Sequence, residues 1–150
     1  DILSGNTMVY VTNPENRARL VPRLKEIFRA VEGIERILEP ADYPALGLPD
    51  PKENDQMADL FLTAKEGYGF AGTHEGAPVA EIAPNASVGF HGYLGADPDM
   101  DAMFLAWGYG IRPGARLETI SNLDVAPTIA ALLGVKLDGV EGKALRAILK

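Results

Sequence analysis

The 150 residues contain two histidines, His74 and His91, and no cysteine. Any metal would therefore need His, Asp or Glu ligands, and any nucleophile would be something other than a thiolate. The histidines form no H-x-x-x-H or H-E-x-x-H pattern, so local spacing alone builds no metal site. His91 nonetheless sits in Gly89-Phe90-His91-Gly92-Tyr93, where flanking glycines let the backbone turn tightly and bring an imidazole to an external atom. His74, followed by Glu75-Gly76, reads as a turn residue. Ser4, Ser87 or Ser121 could be drawn into a triad with His91, but no G-x-S-x-G elbow supports any of them.

Two further spacings look like motifs and fail on their surroundings. Gly67-Tyr68-Gly69-Phe70-Ala71-Gly72 fits G-x-G-x-x-G, yet a dinucleotide fingerprint needs a helix directly after it to face the pyrophosphate. Gly76 and Pro78 follow instead, and a turn-rich ribbon is expected. Asp97, Asp99 and Asp101 alternate like the first ligands of a calcium loop, but its sixth position would be Ala102 and its twelfth Gly108. A Gly and a bidentate Glu are required there. The segment reads as a solvated acidic loop in which Asp97-Pro98 starts a turn.

The elements that must position these residues are short. Sixteen glycines and eleven prolines, beside 47% apolar residues, exclude a helical bundle and favour an α/β or α+β build. No apolar run approaches the ~20 residues of a membrane span. The net charge of −7, from 14 basic and 21 acidic residues, disfavours a broad grip on a nucleic-acid duplex. Met8 to Thr12 reads as a strand stopped by Asn13-Pro14. Leu20, Leu24, Ile27, Phe28 and Val31 make one helical stripe across Pro22, which Gly33 is placed to end. Ile34 to Leu38 is a strand, the Pro-rich stretch from Glu39 to Gln56 a long surface loop, and Asp59 to Ala64 a strand. Met103 to Trp107 is a continuous apolar run of the kind a sheet interior buries on both faces. Asp124 is placed to cap a helix from Val125 to Leu133, with Pro127 in its first turn and Gly134 at its end. Ala144 to Leu149 supplies a last short helix. No linker or repeat divides the chain, and residues 1–150 read as a single unit.

Gly89-Phe90-His91-Gly92-Tyr93, the run from Asp97 to Gly108, Ile111 to Gly114, Ile120 to Ala130, Leu132-Leu133-Gly134 and Glu141-Gly142 together resemble the C-terminal part of type I phosphodiesterase/nucleotide pyrophosphatase proteins of the alkaline phosphatase superfamily. Ala41-Asp42-Tyr43, Leu46 to Pro49 and Asp59 to Phe70 are similar to the segment that precedes it. The match is most specific from Gly89 to Gly142. The resemblance implies part of an alkaline-phosphatase-like α/β fold with a short mixed sheet flanked by helices. It also implies that His91, as the histidine of the His-Gly-Tyr motif, is one ligand of a two-metal centre, usually zinc, acting on a small-molecule phosphodiester or nucleotide. The family's nucleophile and other ligands lie in sequence preceding the matched portion, so no catalytic or other binding residue is assigned.

On that basis the chain is expected to be the C-terminal portion of a larger catalytic domain, to bind zinc only weakly alone, and to expose an apolar sheet edge. The family often has an acidic residue after His-Gly-Tyr where this sequence has Leu94. Asp97 is then expected to orient the His91 ring through a hydrogen bond. The alternative from a different class is a non-catalytic binding module on the same scaffold, with the Glu39 to Gln56 loop as its contact surface. A related phosphatase or sulfatase would share the metal logic.

Overall fold

A computed structural model of the chain describes residues 4–73, 75–85 and 89–150. His74 and Ser87 lie outside the described residues. The chain forms two compact units, Asp1–Asp101 and Ala102–Lys150, and its composition is mixed α and β.

The first unit is built on a three-stranded sheet of β1 (Asn6–Val9), β2 (Ile34–Leu38) and β3 (Leu60–Ala64), in the order β1-β3-β2. Both ladders are antiparallel. The resemblance implies a mixed sheet, and among the described residues the parallel pairing is one isolated bridge between Ser4 and His91. All five residues of β3 are buried, as its unbroken Leu-Phe-Leu-Thr-Ala sequence requires of a central strand covered on both faces. On one face, Leu60, Leu62 and Ala64 stand opposite Val9, Thr7, Ile37 and Ile34. Ile34 and Ile37 are an odd number of residues apart and should point to opposite faces. A register shift between Ile34 and Arg36 puts both on the same one. There α1 (Arg17–Arg29) packs against β2, and Phe28, Ile34 and Ile37 line an open groove of about 250 Å³ between them.

The other face of β3 carries Phe61, which forms the tightest core cluster with Leu38 and Tyr43. Leu46, Leu48, Met57 and Leu94 pack around it. The Pro-rich stretch from Glu39 to Gln56 thus has an inward side. Tyr43–Leu46 makes a 3-10 turn closed by Gly47 at φ 70°, and Tyr43, fully buried, donates its hydroxyl to the Ala58 carbonyl at 3.0 Å. The loop packs Tyr43, Leu46 and Leu48 on this core and leaves Pro40, Asp42, Pro44, Pro49, Glu53 and Asp55 exposed.

The first helix starts earlier than its apolar stripe suggests. Asn13 accepts the Glu15 amide and caps a 3-10 turn at Pro14–Asn16, from which α1 continues through Pro22. Pro22 lies early in the helix and leaves only the Ala18 carbonyl without its intrahelical donor. The helix ends at Arg29, capped by Ala30 in right-handed conformation. Gly33 is therefore not a helix terminator. A Cβ there would lie 2.5 Å from the Tyr68 ring, so Gly33 is needed for close approach.

In the second unit α2 spans Val125–Leu133 as expected, with Gly134 ending it at φ 67°. Asp124 does not cap it with its side chain. A 3-10 turn at Asn122–Asp124 leads in, capped by Ser121, while the Asp124 carboxylate accepts the Lys143 amide at 2.8 Å. Thr128 donates to the Asp124 carbonyl and accepts the Leu145 amide, tying the last segment to α2. That segment forms a 3-10 turn, Arg146–Ile148, in place of an α-helix. The run from Met103 to Trp107 departs most from expectation. It belongs to no strand, and Met103, Leu105 and Trp107 are 93%, 85% and 94% exposed. Burial on both faces needs flanking strands, and no described residue supplies one.

Two of these features can be measured directly. Burial, reinforced by the nearby Asp59 charge, pushes the Tyr43 hydroxyl up to about 12, so the folded state holds a proton that the unfolded chain releases near pH 10. The contribution of this group to stability is constant below pH 10 and is lost between about pH 10 and 12. Denaturant midpoints should show that alkaline decline, and Tyr43→Phe should flatten it while costing about 1 kcal/mol at neutral pH for the lost hydrogen bond. Trp107 is the only tryptophan. Emission from the 150-residue chain should match free indole in water and be fully open to iodide quenching, whereas a shielded, blue-shifted emission would contradict its exposure.

Candidate functional site

The His91 segment is fastened to the N-terminal end of β1 by the backbone. Ser4 exchanges both hydrogen bonds with Phe70, at 3.1 and 2.8 Å, on one side. On the other, the Gly5 amide donates to the His91 carbonyl at 2.7 Å. The next carbonyl, that of Gly92, accepts from the Asn6 side-chain amide. Both carbonyls of the His91-Gly92 pair are thereby tied to consecutive residues at the start of β1, while His91 itself remains exposed.

Three packing contacts complete the lock. Gly92 adopts φ 84°, and a Cβ there would sit 2.6 Å from the Ser4 hydroxyl, so the turn after His91 needs a glycine for conformation and for space. Tyr93 lays its ring over Gly5, where a Cβ would come within 2.5 Å of it, and donates its hydroxyl to the Tyr68 carbonyl at 2.5 Å. Tyr68 repeats the arrangement over Gly33 and donates to Glu32 at 3.0 Å. Leu94 then packs on the Leu38, Tyr43 and Phe61 cluster. Leu94 therefore anchors the loop to the core.

The charges around this loop bear on its tyrosines. Desolvation first, then the Asp97 and Glu66 carboxylates, raises the Tyr93 hydroxyl above its ordinary value. The hydrogen bond to Glu32, followed by its charge, raises that of Tyr68. Both stay protonated donors at neutral pH, as the lock requires.

Asp97 does not orient His91. Its carboxylate accepts the Asp99 amide at 3.0 Å and caps the 3-10 turn Pro98–Met100, and no hydrogen bond joins it to the imidazole. The acidic loop thus forms the turn expected of Asp97-Pro98. The Ser121 hydroxyl caps the 3-10 turn before α2, and the Ser4 hydroxyl accepts the Asn6 amide at 3.4 Å. Among the described residues that come directly after Gly72 there are bends and irregular backbone and no helix. Among the described residues no group of three or more His, Asp or Glu side chains could hold a metal ion. What the loop presents is one exposed imidazole beside two hydrogen-bonded backbone carbonyls.

Sequence reasoning missed Asn6 and Gly5, because a polar residue and a glycine at a strand's start form no local motif. No protein-family model, curated protein or solved structure matches this chain.

The lock has a direct stability test. Gly92→Ala should cost about 1–3 kcal/mol, the range for a strained backbone position, and Gly5→Ala should be similarly harmful through the Tyr93 ring. Gly95→Ala, where a Cβ meets nothing within 4 Å, should be neutral within about 0.5 kcal/mol. Urea denaturation of the three variants checks the ranking.

Proposed function

We propose that this chain supplies the His91 corner of a two-metal phosphodiesterase or nucleotide-pyrophosphatase active site, with the nucleophile and remaining ligands coming from sequence outside these 150 residues. The observation that carries this reading is the exposure of His91 on a loop whose neighbouring carbonyls are both held. A surface turn that serves only to connect has little use for two hydrogen bonds, an obligatory glycine and a half-buried aromatic contact around one outward imidazole. A neutral imidazole in that setting offers a lone pair without the entropy cost of ordering a mobile loop. Zinc suits an imidazole donor, and the chemistry a zinc pair supplies when bound is polarisation of a phosphoryl oxygen and activation of an oxygen nucleophile. The residues of this chain present the imidazole and keep its backbone from yielding.

The exposed run from Met103 to Trp107 supports the same reading from the second unit. Its apolar side chains suit the interior of a larger sheet, such as the rest of a parent domain would provide. The substrate class, a small phosphodiester or nucleotide, rests on the resemblance around His91.

The complete gene product, loaded with zinc, should hydrolyse a nitrophenyl phosphodiester. His91→Ala should lower kcat/KM by more than the roughly 10–100-fold typical of losing a hydrogen bond to a metal ligand. The 150-residue chain alone should be inactive. Unchanged activity in His91→Ala would overturn the ligand role.

A further inference from the structure

We propose that the outer edge of β2, together with the groove between it and α1, takes up an extended peptide as an additional strand. The peptide is selected by an acidic and an apolar side chain on the face it turns to α1. This inference is independent of the role of His91. In the sheet order β1-β3-β2, β2 is an edge strand. Outside its ladder with β3, Glu35, Arg36, Ile37 and Leu38 make no backbone hydrogen bond among the described residues. Main-chain groups left free along an edge pair with an incoming strand, and alternate side chains of that strand then fall on one face of the sheet. The bulge between Ile34 and Arg36 and the exposed charges of Glu35 and Arg36 guard the edge against indiscriminate pairing. Selection is left to what lies beside it.

On the face that α1 covers, Phe28, Ile34 and Ile37 are half-buried and line the open groove of about 250 Å³. Ligand pockets run to roughly 300–1,000 Å³ and enclose most of their ligand. A smaller, open groove suits one side chain delivered by an extended backbone. The charges around it are unequal. Lys25 is paired with Glu39, and the Glu35 carboxylate faces the Thr63 hydroxyl at 3.5 Å, on the opposite face of the sheet. Arg29 lines the groove, is exposed, and is in no ion pair among the described residues. An acidic side chain two residues from the apolar one shares its face and meets that guanidinium, whereas a basic one is repelled. The net charge of −7 does not reverse this preference, because at physiological salt exposed charges act over about 8 Å.

The test is fluorescence anisotropy of the 150-residue chain with labelled octapeptides. The parent peptide is a threonine host with Asp and Leu at its fourth and sixth positions. In two relatives Lys replaces the Asp or Ser replaces the Leu. Two more carry N-methyl groups on the fourth and sixth amides, or on the fifth and seventh, so that only one of them blocks the edge that meets β2. The parent should saturate with a Kd below about 1 mM. The Lys and Ser peptides, and one of the two N-methylated peptides, should bind about tenfold or more weakly. In N–H correlation spectra the shifted amides should be those of Arg29 and of Glu35 to Leu38. Arg29→Glu, at an exposed position, should exchange the preference in favour of the Lys peptide. The proposal is overturned by no saturation with the parent, by equal binding of the Lys peptide, by N-methylation that acts alike in both registers, or by shifts confined to residues away from β2 and α1. Self-association that moves the same β2 amides, and that the parent peptide does not compete, would overturn it in favour of a second copy.

Discussion

The first unit depends on burying β3 from both sides. A strand in which all five residues are inaccessible needs a partner along each edge and a layer over each face. β1 and β2 provide the edges. Over one face lies α1; over the other lie Tyr43, its 3-10 turn and Leu94. Leu94 belongs to the loop that begins at His91. The same apolar surface that stabilises the sheet therefore pulls this loop down onto it, and the start of β1 is left to decide how the loop is oriented.

That orientation rests on close backbone approach. Gly5 and Gly33 are each covered by a tyrosine ring, and the tyrosines are linked because Tyr93 donates to the carbonyl of Tyr68. Each ring fills space that any other residue's Cβ would claim. The glycines here act through volume, while Gly92 adds a backbone conformation that side chains resist. Together they bring the loop near enough for Gly5 and Asn6 to reach its carbonyls. These contacts hold the backbone of the loop, while the Asp97 carboxylate is committed to its own turn.

The parts legible in the sequence are those governed by local chemistry. Ile34–Leu38 and Val125–Leu133 match their expected bounds, since a short run bounded by Ile34, Ile37 and Leu38 after Gly33 and an apolar helix closed by Gly134 are specified within a few residues. β3 is displaced by a single residue at its start. What stays hidden depends on partners distant in the chain. A helix-ending glycine and a ring-covered glycine are the same letter, so Gly33 reads as the first and is the second. Met103 to Trp107 reads as a buried strand because its composition is that of one, yet burial requires neighbours, and its side chains stand in solvent. At the site, the flanking glycines make His91 visible, whereas Asn6 and Leu94 gain meaning only once β1 and the core cluster are in place.

The most direct measurement is the anomalous difference density of zinc in a crystal of the complete gene product, collected at the zinc absorption edge. A zinc peak about 2.0–2.1 Å from an imidazole nitrogen of His91, with the His91 carbonyl still bonded to Gly5, is the result expected. Zinc bound at full occupancy by other residues, with His91 turned away from it, would contradict the role assigned to that side chain.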